Sequence, residues 1–167
     1  GGVVDDLLVY NCGDYYLLVI NASNEDKDFK WMQDNVFGDV VLKNISDNIS
    51  QLAIQGPNSL KTLQKLTDTD LSKIEYYNFE FGKIAGIDAI ISHTGYTVEK
   101  VCFEIYIDSD ISKSENLWKA IFEAGKEFNI KPIGLGARDT LRLEYAFRLY
   151  GNDMDQNSNV LEAGLGW

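Results

Sequence analysis

The chain has 167 residues, enough for one good-sized domain or two small ones, and its make-up of 45% hydrophobic and 25% charged residues is that of a packed globule. Disorder, collagen and coiled coil are excluded on that ground. Fifteen Lys and Arg against 26 Asp and Glu leave a formal net charge of −11, a surface that repels phosphate backbones and anionic headgroups, so neither nucleic acid nor a membrane is expected as a partner.

In chain order, residues 6–11 and 15–21 are predicted as two strands joined through Cys12, Gly13 and Asp14, a hairpin signal. A helix is predicted over 23–36, with acidic residues in its first turn and Phe29, Met32 and Val36 on one stripe. Residues 40–42 and 51–54 read as strands, the second ending at Gly56-Pro57, where proline opens a helix over 58–66. Residues 79–84 and 88–92 make a second hairpin across Gly86, 103–107 a strand, 114–128 a helix and 139–150 another, led in by Gly134-Leu135-Gly136. Strands and helices so interspersed predict an α+β fold, a mostly antiparallel sheet with packed helices. No stretch reads as an interdomain linker. The longest apolar runs are far too short to span a bilayer, and no basic stretch leads an apolar one at the N-terminus.

Cysteine and histidine counts remove whole reaction classes. Cys12 and Cys102 are not spaced as a metal knuckle or a redox pair, and His93 is the single histidine, so no metal site and no Ser-His-Asp or Cys-His triad is expected. The sequons at Asn21, Asn44 and Asn48 are read as accidental in a chain with no export signal.

Arginine is unevenly distributed. Arg138, Arg142 and Arg148 fall in one eleven-residue window while the lysines are spread along the chain. Arg138 and Arg142 lie four apart on a helix face, where two planar forks suit a carboxylate or an amide-like ring edge; for Arg142, pairing with Asp139 or Glu144 is an equal reading. Gly134-Leu135-Gly136 lacks the third glycine of a dinucleotide fingerprint. Strand alternation puts Asp6, Leu8 and Tyr10 on one face, a carboxylate beside an aromatic ring, which suits a flat heterocycle; a solvated acidic strand start is the plainer alternative. By the same alternation Phe103, Ile105 and Ile107 face the core while Cys102, Glu104 and Tyr106 face away. Tyr96 falls in a loop after a strand.

Taken together, these phrases resemble one family. The runs Gly1-Gly-Val-Val-Asp-Asp-Leu-Leu-Val-Tyr10, Leu18-Val-Ile-Asn-Ala-Ser-Asn24, Asp28-Phe29, Ile54-Gln-Gly-Pro57, Thr94-Gly-Tyr-Thr97, Phe103-Glu-Ile105, Gly134-Leu-Gly-Ala-Arg-Asp-Thr-Leu-Arg-Leu-Glu144, Tyr150-Gly-Asn-Asp153 and Glu162-Ala-Gly-Leu-Gly-Trp167 are similar, in order and end to end, to the aminomethyltransferase (T-protein) of the glycine cleavage system. The resemblance implies the folate-binding aminomethyltransferase fold, with residues 1–167 as its central part, an N-terminal part and a C-terminal barrel domain lying outside. It implies tetrahydrofolate as substrate and the lipoylated H-protein as partner, in a bacterial cytoplasm or a mitochondrial matrix. The implied reaction moves the one-carbon unit of the aminomethyl-lipoyl group to tetrahydrofolate and releases ammonia. Position by position, Asp6 is implied as the catalytic carboxylate near folate N10, Glu104 as the acceptor for the pterin amino and ring N–H groups, and Arg138 as a neighbour of the folate. Tyr10, Asn21, Tyr77 and Tyr96 match further positions around the folate. A non-catalytic folate-binding module or an inactive scaffold of the same superfamily is the alternative. His93 stands where the family has Arg, and Val98-Glu-Lys-Val-Cys102 replaces glycines expected after Thr97 and runs one residue longer. Because a one-residue slip would bury Glu104 and expose Phe103, the extra residue is expected to be absorbed by an irregular excursion over 98–101.

Overall fold

The computed structural model describes residues 1–166; Trp167, the last residue of the C-terminal phrase, lies outside the described residues. It divides into two compact units, one built from both ends of the chain, 1–44 with 146–167, and one from 45–145. The sequence carries no linker signal at either crossing. A unit closed by its two termini needs none, because each crossing is an ordinary loop.

In the first unit, β1 (Leu8–Asn11) and β2 (Tyr16–Val19) pair antiparallel with Leu8 opposite Val19 and Tyr10 opposite Leu17. The predicted hairpin is present, turned by Gly13 at φ 87°, with Cys12 N–H donating to Tyr15 O at 2.9 Å. Both strands are shorter than predicted, and Asp5 and Asp6 precede β1. Tyr10 is buried while Leu7 and Val9 are exposed, as alternation requires. A 3-10 turn (Ala22–Asn24) leads into α1 (Glu25–Asn35), whose first turn carries Glu25, Asp26 and Asp28. Phe29 and Met32 are half-buried, whereas Val36 caps the helix in extended conformation and is exposed. The predicted strand at 40–42 is absent. Val40 and Val41 are exposed and no ladder forms there; β-branched residues make a strand only where a partner accepts their backbone groups. Val3, Tyr150, Met154 and Ala163 form this unit's small core, and Val3 N–H donates to Ser158 O at 3.0 Å.

The second unit holds a four-stranded antiparallel sheet in the order β3-β6-β5-β4, from β3 (Ile49–Gln55), β4 (Phe79–Ile84), β5 (Ile87–Ser92) and β6 (Cys102–Asp108). β4 and β5 form the predicted hairpin, turned by Ala85 and Gly86, both at positive φ. Three helices accompany the sheet: α2 (Ser59–Leu63), α3 (Ile111–Gly125) and α4 (Leu135–Glu144). α3 is capped by Asp110, whose side chain accepts from Lys113 N–H. One sheet face supplies Ile54, Ile84, Ile91, Phe103, Ile105 and Ile107 to a core completed by Leu63, Leu117 and Ile121 from the helices. Phe103 and Ile105 are fully buried, each contributing roughly 1.5–3 kcal/mol of apolar transfer free energy. α4 starts four residues before the predicted helix and stops six before its predicted end. The stop is Ala146 at φ 58°, a left-handed residue without the glycine that marks most such C-termini in sequence. Arg148 consequently falls outside the helix, in the first unit.

Candidate functional site

Site residues expected from the sequence fall in both units. Asp6, Tyr10 and Asn21 belong to the first; Tyr77, Glu104, Tyr96 and Arg138 belong to the second.

In the first unit Asp6 sits just ahead of β1. Its Oδ1 accepts from the Tyr150 backbone N–H at 2.8 Å and from Asn21 Nδ2 at 3.2 Å. Asn21, just past β2, turns that same amide toward Asp5 Oδ1 (2.9 Å) and the Asp6 carbonyl (3.1 Å), and its backbone N–H donates to Asp5 Oδ2 at 3.3 Å. One side chain therefore ties down two consecutive aspartates. Asn24 Nδ2 adds a bond to Asp5 Oδ1 at 3.0 Å. Tyr10 is 4% exposed, so its ring is a wall and not a surface.

Beside Asp5 stands Asp28, which the sequence places in an acidic helix start and in the family phrase Asp28-Phe29. Its residue is 2% exposed, and Lys27 Nζ lies 2.6 Å from its Oδ1. Burial, then the Asp5 carboxyl beside it, push Asp28 up to about 6. Burial opposes ionisation of Asp5 as well, but hydrogen bonds from Asp28 and Asn21 outweigh it and leave that carboxyl below its ordinary value. Lys27 also donates to Val4 O and sits 4.0 Å above the Tyr150 ring. No pattern in the sequence pairs Asp5 with Asp28, because one precedes a strand and the other lies in a helix.

In the second unit β6 keeps its predicted register. Phe103, Ile105 and Ile107 are buried in the core, and Glu104 points from the other face with Cys102 and Tyr106. Both of those flanking residues are nearly fully buried too, which alternation alone does not foretell. Glu104 is the centre of a polar cluster: Oε1 accepts from Gln51 Nε2 at 2.9 Å, and Oε2 accepts from the Thr94 hydroxyl and from Tyr106 O–H at 3.3 Å. Thr94 is buried and shares a 3.0 Å hydroxyl contact with Ser92, the residue opposite Glu104 in the ladder. Burial, reinforced by the Glu104 and Glu99 charges, pushes the Cys102 thiol up to about 11, so it is no nucleophile.

The loop 93–101 carries Tyr96. Its excursion is irregular, as expected, and Val98 adopts φ 61°, the left-handed region that favours glycine. His93 anchors the loop at both ends: Nδ1 lies 2.7 Å from Ile74 O, Nε2 lies 3.1 Å from Lys100 O, and the ring stacks on Phe103 with centroids 5.0 Å apart. Thr97 Oγ1 donates to Gln55 Oε1 at 2.7 Å. The Arg138 guanidinium, from α4, lies 4.7 Å above the Tyr96 ring. Arg142, one turn on, is buried and pairs with Asp139 through Nε at 2.8 Å, so of the two forks on that face one is committed within its helix. Arg148 donates to the Ala163 and Ala146 carbonyls. Tyr77 is 63% exposed at φ 64°, edge-on to Tyr76, with its N–H donating to His93 O. A shallow depression bounded by residues 64–69, Lys83, Ala85 and Gly86 contains none of these side chains. Among the described residues no group of three or more His, Cys, Asp and Glu is arranged to hold a metal ion.

The profile of the GCVT N-terminal domain family matches residues 1–167. The chain belongs to that family. Its curated relatives include an aminomethyltransferase of Bacteroides thetaiotaomicron, 56% identical over 170 residues, and one of Halothermothrix orenii, 51% identical over 168 residues; in each case all of this chain is covered and 46% of the relative. The GCVT domain described above is also similar to the crystal structure of glycine cleavage system aminomethyltransferase T from Bartonella henselae, with a TM-score of 0.81 at 27% identity, covering 99% of this chain and 43% of the other. The α+β architecture is thus that of the aminomethyltransferase fold, in part. The chain spans about half the length of the curated relatives it matches.

Proposed function

We propose that the protein carrying this chain is the tetrahydrofolate-dependent aminomethyltransferase of glycine cleavage. The observation that carries the reading is the match to aminomethyltransferases over the whole chain at more than half identity. In the proposed reaction the methylene held between the lipoyl sulfur and the amino group of an aminomethylated H-protein passes to tetrahydrofolate. The C–S and C–N bonds break, two C–N bonds form at N5 and N10, and the two N–H protons leave with ammonia and with the lipoyl thiol. The proposed setting is the bacterial cytoplasm, or the mitochondrial matrix in a eukaryote; among the described residues no helix is long and apolar enough to cross a membrane.

Within this reading, Asp6 is the charged group at the reacting nitrogen, held in place by Asn21 and the Tyr150 N–H, and Tyr10 walls the hairpin behind it. Glu104 opposes the donor-rich pterin edge, and its three protein donors keep it aimed. Arg138 lies over the Tyr96 ring, which presents a planar cation beside a planar ligand. Tyr77, exposed and edge-on to Tyr76, is a further folate contact. Most of the acceleration then comes from orienting two bound partners, plus one charge at the reacting nitrogen. Asp6→Asn, assayed for ammonia release with aminomethylated H-protein, is expected to lower turnover about a hundredfold or more with tetrahydrofolate affinity nearly unchanged. Near-normal turnover would overturn the role of Asp6.

A further inference from the structure

Among the described polar side chains enclosed in the first unit, one has an oxygen with no donor. Asp28 Oδ2 is shut away from water and receives no hydrogen bond, although Oδ1 of the same carboxyl is matched to Lys27. The group next to it is another carboxyl, Asp5, whose oxygens already accept from Asn21 N–H, Asn21 Nδ2 and Asn24 Nδ2. Two carboxylates side by side, with one ammonium bonded to the Asp28 side, leave the buried Asp28 oxygen facing a like charge. The titratable and charged groups around Asp28 are Asp5 before β1, Lys27 on its own helix and the Tyr150 phenol above Lys27, and Asp6 is bonded to the Tyr150 backbone.

We infer that Asp28 is a positioning residue: a proton on its carboxyl is donated to Asp5, and the resulting acid pair fixes the Asp5-Asp6 segment against α1. The proton supplies the one missing donor and removes one of two like charges together. Asp5 accepts the bond and stays ionised, and its neighbour Asp6 is held in register through Asn21, which grips both aspartates. This is consistent with the opposite directions in which the two carboxyls are displaced, Asp28 up and Asp5 down. That the segment being fixed matters to catalysis rests on the proposed role of Asp6; the shared proton does not.

The folded pair holds its proton more tightly than a free aspartate, so the stabilisation is complete below the ordinary value of 3.8 and is lost as pH rises through about 6, with the lowered Asp5 offsetting part of it. Asp28→Asn is the decisive variant, because an amide reproduces the protonated acid: its oxygen accepts from Lys27 and its N–H donates to Asp5 at every pH. In carbon-13 NMR of the chain with labelled aspartates, one carboxyl is expected to titrate near 6 in the native chain and to vanish in Asp28→Asn. The thermal midpoint of the native chain should drop by a few degrees relative to Asp28→Asn between about pH 5 and about pH 8. Over the same range the turnover of the full enzyme should fall several-fold relative to Asp28→Asn. Titration of every carboxyl below about pH 5, or an Asp28→Asn chain less stable than native by the same margin at all pH values, would overturn the shared proton. A pH-independent turnover ratio, in an enzyme that Asp6→Asn inactivates, would overturn the positioning role. An Asp6→Asn enzyme with normal turnover would instead count against the role of Asp6 alone, leaving the titration as the test of the pair.

Discussion

Replacing Glu104 by Gln keeps the shape of the side chain and removes its charge, which makes it the sharpest probe of the second unit. The carboxylate has about four lone-pair sites, and three are used by Gln51, Thr94 and Tyr106. In the Gln variant the bond from Gln51 to Oε1 survives. The new amide N–H faces two hydroxyls, each of which rotates to accept, so the fold should lose no more than about 1 kcal/mol, the net worth of one exchanged hydrogen bond. Ligand binding fares differently, because a pterin edge approaches with N–H donors and meets a weaker neutral acceptor, or a donor, in place of a carboxylate. Hydrogen bonds to a charged group are worth roughly 1.5–3 kcal/mol, so tetrahydrofolate affinity should fall by about tenfold to about 150-fold. Titration calorimetry with tetrahydrofolate, beside a thermal melt of the same variant, separates the two effects. Unchanged affinity in a stably folded Glu104→Gln protein would refute the assignment of this carboxylate to the pterin edge.

Arg138→Lys preserves the charge beside Tyr96 but not the flat guanidinium, so it should cost about 0.5–1 kcal/mol of stacking and leave folate binding several-fold weaker; equal affinity by calorimetry would show that planarity plays no part. Val98→Gly relieves a β-branched residue held at φ 61°, a conformation costing roughly 1–2 kcal/mol, against the roughly 0.5–1 kcal/mol of entropy a glycine loses, and should raise the thermal midpoint slightly. A lowered midpoint would mean that the Val98 side chain packs well enough to repay its backbone strain.

Local pattern decided much of this protein. Alternation in Cys102–Asp108 put Phe103 and Ile105 in the core and Glu104 on the opposite face, and the irregular loop before the strand leaves that register intact, since a slip in register turns over every side chain of a strand while a loop absorbs a change of one residue at little cost. The two hairpins and the acidic start of α1 were equally legible, because the residues that signal them lie within a few positions of one another. Arg138 and Arg142 were correctly placed on one helix, but which of them is committed to a partner and which lies against an aromatic ring was decided by their surroundings, Asp139 for one and Tyr96 for the other. The valines at 40 and 41 failed to form a strand for want of a neighbour to pair with. The closing of a unit from both ends of the chain, the double anchoring of the 93–101 loop by His93 and the meeting of Asp5 with Asp28 left no mark on the sequence. Each joins residues far enough apart that no spacing rule relates them, and burial, which alone turns two aspartates into an acid pair, is a property of the folded chain.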